Sequence, residues 1–141
     1  MKNLKEYAKC FILFFIGGAI YICIELLARG YSDFSMFLAG GICFVLIGLL
    51  NEIFPYSLSL TSQMLLSAFI ITFIELIFGM IVNVWLKKGI WDYSNLPYNY
   101  KGQICLLFST YWFFLSLPAI LLDDWLRCHL LGEKKVKYKY F

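Results

Sequence analysis

The sequence predicts an all-α, polytopic membrane protein with four transmembrane helices, forming a single domain over residues 1–141. Three observations predict it. Apolar residues make up 62% of the chain and charged residues only 15%, whereas a globular domain carries roughly a quarter charged. The charges gather at the chain ends and in short connections, so they cannot clothe the surface of a soluble core. Between them lie four apolar runs, and a helix of about 20 mainly apolar residues crosses the hydrocarbon core of a bilayer. A water-soluble enzyme, a disordered tail and a nucleic-acid binder are thereby excluded, and membrane lipids become the first expected partner.

The first run is Phe11 to Ala28. Lys2, Lys5 and Lys9 precede it like the basic start of a signal peptide. Glu25 and Arg29 occupy the region where a small-residue cleavage site belongs, so it reads as a retained anchor. The second run is Phe34 to Phe54. The third, Leu60 to Leu86, is longer and must tilt or project from the membrane. The fourth is Ile104 to Leu122, and a basic tail over residues 123–141 follows it.

An even number of spans puts both termini on one side. Eight basic residues accompany the termini and four the connections after spans one and three. Both termini are therefore expected in the cytoplasm of a bacterial cell, with the protein in the inner membrane. Lys87, Lys88 and Lys101 fall in the loop this assigns to the outside. Cys10, Cys23, Cys43, Cys105 and Cys128 show no CxxC or CxxxC spacing, so neither a disulfide nor a metal is expected. No cofactor is expected either.

Ile24-Glu25-Leu26 recurs as Ile74-Glu75-Leu76, and Gly40-Gly41-Ile42-Cys43 recurs loosely as Gly102-Gln103-Ile104-Cys105. The chain thus reads as two similar helical hairpins in tandem, a pattern also seen in parallel-repeat transporters. Short apolar matches also arise by chance.

Acidic groups in or beside apolar spans are the strongest functional pointers, because a carboxylate at membrane depth is costly and normally faces a partner or a cavity. Glu25, Glu52 and Glu75 qualify, and Glu75 is the deepest. Ala68, Thr72, Gly79 and Asn83 share its helical face. Span one carries Gly17, Gly18, Tyr21 and Glu25, span two Gly41, Gly48, Asn51 and Glu52, and span four Ser109, Trp112, Ser116 and Asp123. These stripes can meet at one interior, and Glu75, Asn83, Glu25, Glu52 and Thr72 are the candidate pathway residues. Small and polar residues also serve plain helix packing.

The loop 87–103 carries Trp91, Asp92, Tyr93, Ser94, Asn95, Asn99 and Gln103. It is expected to order over the ends of spans one and three near Glu25, as a lid with Asp92 at a cavity mouth. The bland alternative is an interfacial aromatic belt with a Ser-Asn-Leu-Pro turn.

Trp91-Asp92-Tyr93-Ser94-Asn95-Leu96-Pro97, followed by Asn99 and Gly102-Gln103-Ile104-Cys105, resembles the small bacterial membrane proteins grouped as ABC-transporter type IV permeases, the CmpB-like family. Ile24-Glu25, Arg29-Gly30, Ser35-Met36, Gly40-Gly41, Asn51-Glu52, Glu75 and Asn83 extend the resemblance over nearly the whole chain. It implies an integral membrane protein of transport. The chain has no GxxxxGK[ST] phosphate loop, HExxH, GxSxG or TVGYG segment, so ATP coupling would require a separate ATPase subunit. The leading expectation is an oligomeric transport component without enzymatic chemistry of its own. The alternatives are a non-transport module that binds lipid or a membrane partner, and a lipid head-group enzyme using Glu75 or Asp92.

Overall fold

A computed structural model describes residues 2–54, 58–134 and 138, with the backbone alone for Asn51 and Glu52. The span-two pair Asn51 and Glu52, as side chains, and the tail lysines 135, 137 and 139 therefore lie outside the described residues. Four helices occur among the described residues: α1 (Lys2–Arg29), α2 (Phe34–Ile53), α3 (Leu60–Gly79) and α4 (Leu106–His129). A two-stranded ribbon, β1 (Asn99–Tyr100) with β2 (Ile104–Cys105), precedes α4. Lys2–Arg29, Leu60–Trp85 and Leu106–His129 are long and apolar enough to cross a membrane, and α2 contributes a shorter apolar stretch, Phe34–Leu50. The 20 residues of α2 rise about 30 Å at 1.5 Å each, the thickness of a hydrocarbon core. This is an all-α membrane fold.

Each boundary has a local cause. Gly30, at φ +77°, closes α1 in the left-handed conformation, its N–H bonding to Leu26 O, as glycine past a helix end commonly does. Asp33 caps α2 by accepting from Ser35 N at 3.0 Å and Ser35 Oγ at 2.6 Å. Those bonds hold its carboxyl below the usual range, with Lys88 adding to the effect. Ser59 caps α3 through Ser62 N at 3.1 Å. α3 does not end at Gly79 but widens into a π-helical segment, Met80–Trp85, whose last bond runs from Leu86 N to Ile81 O.

The helices run up and down. Lys9 near the start of α1 lies 3.7 Å from Glu133 beyond α4. At the opposite end Asp33 lies 3.7 Å from Lys88. The first half of α1 and the segment just after α4 thus share one end of the bundle, and the α1–α2 turn shares the other with the long loop. α1 packs on α2 through reciprocal notches. A Cβ at Gly17 or Gly18 would overlap Phe44 or Phe37 of α2, and one at Gly40 or Gly41 would overlap Tyr21 or Phe14 of α1. In lipid, where apolar burial gives little drive between helices, such close approach is a principal source of association.

Two expectations need adjusting. The tail does not begin at 123, because α4 continues to His129, with Asp123, Asp124 and Arg127 all buried. Arg127 Nε reaches Asp123 Oδ2 at 3.0 Å one helical turn away, which allows these charges to stay inside the bundle. The second half of the tandem match joins unlike structures. Gly40 and Cys43 lie inside α2, while Gly102 and Cys105 lie in the ribbon, with Gly102 at φ +71°.

Candidate functional site: a cavity among the four helices

A cavity of about 280 Å³ lies among the helices. α1 lines it with Tyr21, Ile24, Glu25 and Arg29, α2 with Met36 and Cys43, α3 with Ile71, Ile74, Glu75 and Phe78, and α4 with Phe108, Trp112 and Leu115. Trp91 and Tyr93 of the loop complete it. The repeated Ile-Glu pair is therefore structural: Ile24-Glu25 and Ile74-Glu75 both face this space. Most of the wall is apolar, and its charged groups, Glu25, Arg29 and Glu75, belong to α1 and α3.

Glu75 is half-buried and held from two sides. Tyr93 Oη donates to its Oε1 at 2.6 Å and Trp112 Nε1 to its Oε2 at 3.0 Å. One donor comes from the loop and one from α4, so the carboxyl group joins three parts of the chain. Tyr93 also stacks on Phe108, with centroids 4.5 Å apart. Burial and the neighbouring Glu75 carboxyl raise the Tyr93 phenol well above its usual value, keeping it a donor. Glu25 is ion-paired with Arg29 one turn on, and Arg29 Nη1 donates to Ile90 O at 2.9 Å. Among the described residues no cationic side chain is ion-paired with Glu75.

The loop is ordered by its own polar groups. Asn83, in the π-helical segment, accepts from Ile90 N at 2.7 Å and donates to Gln103 Oε1 at 2.8 Å. A wider π turn re-aims side chains, and here Asn83 anchors both ends of the loop. Trp91 Nε1 donates to Gln103 O at 3.0 Å, and Tyr93 N donates to Gly102 O at 2.7 Å. Asn99 braces the turn by donating to Leu96 O and accepting from Gly102 N. Between the strands Lys101 and Gly102 both take positive φ and Gln103 N bonds to Tyr100 O at 3.0 Å, the positive-φ pair of a type I′ hairpin turn.

The candidates named from the sequence thus separate. Glu25, Glu75, Trp91 and Tyr93 line the cavity. Asn83, Asn99 and Gln103 hold the loop, and Thr72 bonds to Ser109 of α4 at 2.8 Å. Asp92 is exposed and does not line the cavity; its Oδ1 accepts from Ser94 N, and the Ser94 side chain, together with that backbone bond, holds its carboxyl below the usual range. Ser94 and Asn95 are exposed turn residues. The Glu52 side chain lies outside the described residues. Sequence reasoning missed Phe108 and the donor roles of Tyr93 and Trp112, which carry no local signal; Arg29, one turn beyond Glu25, is legible as its ion-pair partner.

One side of the cavity is open. α1 packs along α2 and α3 along α4, but α1 and α4 make no comparably close approach among the described residues. Ile20 and Ile24 line the cavity while 37% and 38% exposed, respectively, and Pro118 on α4 is both lining and exposed. The lining residues most open to the bundle perimeter, where acyl chains would lie, thus belong to α1 and α4.

No curated protein and no solved structure matches the chain. The model of the CmpB family, described as "Putative ABC-transporter type IV", matches residues 10–131; since this is most of the chain, the protein belongs to that family.

Proposed function

We propose that this protein is the membrane-embedded component of a transporter, with the cavity as substrate compartment and Glu75 as the polar residue that meets the substrate. The observation that carries the reading is the position of Glu75: its carboxyl group lies on the wall of a cavity bounded by all four helices, held by Tyr93 and Trp112. An intramembrane acidic group that faces a cavity is characteristic of substrate and ion pathways. The apolar wall and its exposed lining on α1 and α4 favour a substrate that arrives from the bilayer, so the compartment takes an amphiphile. Loop 86–105 covers the compartment on the side we assign to the outside, with both termini in the cytoplasm of a bacterial inner membrane. A homo-oligomer and a separate ATPase subunit are the assembly we propose around it. The chain itself performs no covalent chemistry in this reading.

The same apolar wall also favours a second reading, a module that holds lipid without moving it. Proteoliposomes separate the two. Transbilayer movement of a fluorescent single-chain amphiphile, followed by dithionite quenching, should exceed that of protein-free vesicles and fall to their level with Glu75→Ala. Wild-type movement equal to that of protein-free vesicles, alone and with any ATPase subunit that co-purifies with it, contradicts transport. If the cavity still binds the amphiphile, that result supports the holding module.

A further inference from the structure

The geometry points to a cationic head group on the cavity's ligand: we infer that the compartment selects lipophilic cations, such as alkylammonium amphiphiles, over neutral or anionic ones. This rests on the reading of the cavity as a ligand compartment and adds the ligand's charge. The lining holds two carboxyl groups, Glu25 and Glu75, and one guanidinium, Arg29. Arg29 is committed to Glu25 and to Ile90 O, which leaves Glu75 facing the cavity with only neutral donors, Tyr93 and Trp112. Both Glu75 oxygens accept hydrogen bonds from these donors, and a cation entering beside them favours the ionised carboxylate.

Around this group stand aromatic rings. Tyr21, Trp91, Tyr93, Phe108 and Trp112 all line the cavity. Tyr21 and Trp112 have centroids 6.3 Å apart, and Phe108 and Trp112 6.2 Å apart. Aromatic faces around a carboxylate attract cations, including quaternary ammonium groups that can donate no hydrogen bond, and desolvation strengthens the attraction. An anionic head group would meet the same ring faces, and a carboxyl group with no cation paired to it, unfavourably. The apolar remainder of the wall, including Ile71, Ile74 and Leu115, then suits an alkyl tail.

Tryptophan fluorescence in nanodiscs tests this. Trp85 and Trp125 are 76% and 56% exposed and lie outside the cavity, so a Trp85→Phe, Trp125→Phe protein reports from Trp91 and Trp112. Titration with octyltrimethylammonium, 1-octanol and octyl sulfate should give saturable change with the cation about tenfold or more tighter than the alcohol, and weakest response to the sulfate. Glu75→Gln should weaken the cation about tenfold and so erase its lead over 1-octanol. Should that variant not fold, the ranking of the three probes in the unsubstituted site decides alone. Equal binding of cation and alcohol, or preference for the sulfate, overturns the inference and leaves the cavity reading intact. Absence of saturable change with all three overturns both.

Discussion

The hydroxyl of Tyr93 donates a 2.6 Å hydrogen bond to Oε1 of Glu75, so a loop residue holds the carboxyl group of the helix that precedes it. Trp112 Nε1 completes the arrangement from α4 at 3.0 Å. Because Tyr93 also stacks on Phe108, Tyr93→Phe removes the bond and keeps the ring. The expected cost is about 1.5–3 kcal/mol, the value typical of a hydrogen bond to a charged group. Thermal unfolding in detergent should show the loss, and hydrogen exchange should quicken in residues 90–103. An unchanged melting temperature with unchanged exchange would mean that the bond does not hold the loop.

Close approach of α1 and α2 depends on glycine. A Cβ at Gly40 would collide with the Tyr21 side chain, and Tyr21 lines the cavity. Gly40→Ala should therefore destabilise the protein by about 1–3 kcal/mol, the usual range for overpacking, and should change the response of Trp112, whose ring neighbours Tyr21. Chemical denaturation with intrinsic fluorescence measures both. A variant as stable as the wild type, with an identical spectrum, would contradict the packing described.

Acid should loosen the start of α2. The Asp33 carboxyl is lowered below its usual value by its bonds to Ser35. A carboxylate lowered in the folded state contributes stability that is present above its unfolded value, about 3.9, and is lost as pH falls through the lower folded value. Exchange of the first-turn amides of α2 should thus rise below about pH 4. Asp33→Ala should remove that pH dependence and cost about 1 kcal/mol at neutral pH, as loss of an N-cap does. A wild-type cap that keeps its protection down through the acid range, or an alanine variant that shows the same acid transition, contradicts this role.

Orientation is tested by labelling. With the native cysteines replaced, a single cysteine at exposed Ser94 should react with a membrane-impermeant maleimide in intact cells. A reporter fused after Phe141 should be active only in the cytoplasm. Labelling of Ser94→Cys only after the cytoplasm is opened would invert the topology argued from the basic residues.

Much of the architecture was legible because a bilayer imposes a simple length rule: four apolar runs with polar breaks near Arg29, Pro55 and Lys87 announce four helices. The repeat Ile24-Glu25 and Ile74-Glu75 announced the two acidic walls of the cavity. Helical periodicity also placed Thr72, Asn83 and Glu75 on one face, yet could not divide them by role. Thr72 meets Ser109 and Asn83 meets the loop, and those partners are set by tertiary packing. The pairing of Tyr93 with Glu75 was hidden for the same reason, since local propensity does not specify where a loop folds back. The π-helical segment left no sequence signal. Helical spacing put Asp123 on the interior stripe of span four, but Arg127 looked like part of a tail because hydropathy scores each charge singly, ignoring the i,i+4 pair the two form.

The central claim is that the cavity walled by Glu75 and the aromatic rings receives the ligand, and bromine anomalous scattering tests it most directly. Crystals grown with 8-bromooctyltrimethylammonium should place the bromine between α1 and α4, with the head group against Glu75, Trp112 and Tyr93. A second apolar depression, lined by Phe11, Phe14, Phe15, Phe34 and Phe37 on the outer faces of α1 and α2, supplies the internal comparison. Bromine found only in that depression, with the cavity holding none, would contradict the account.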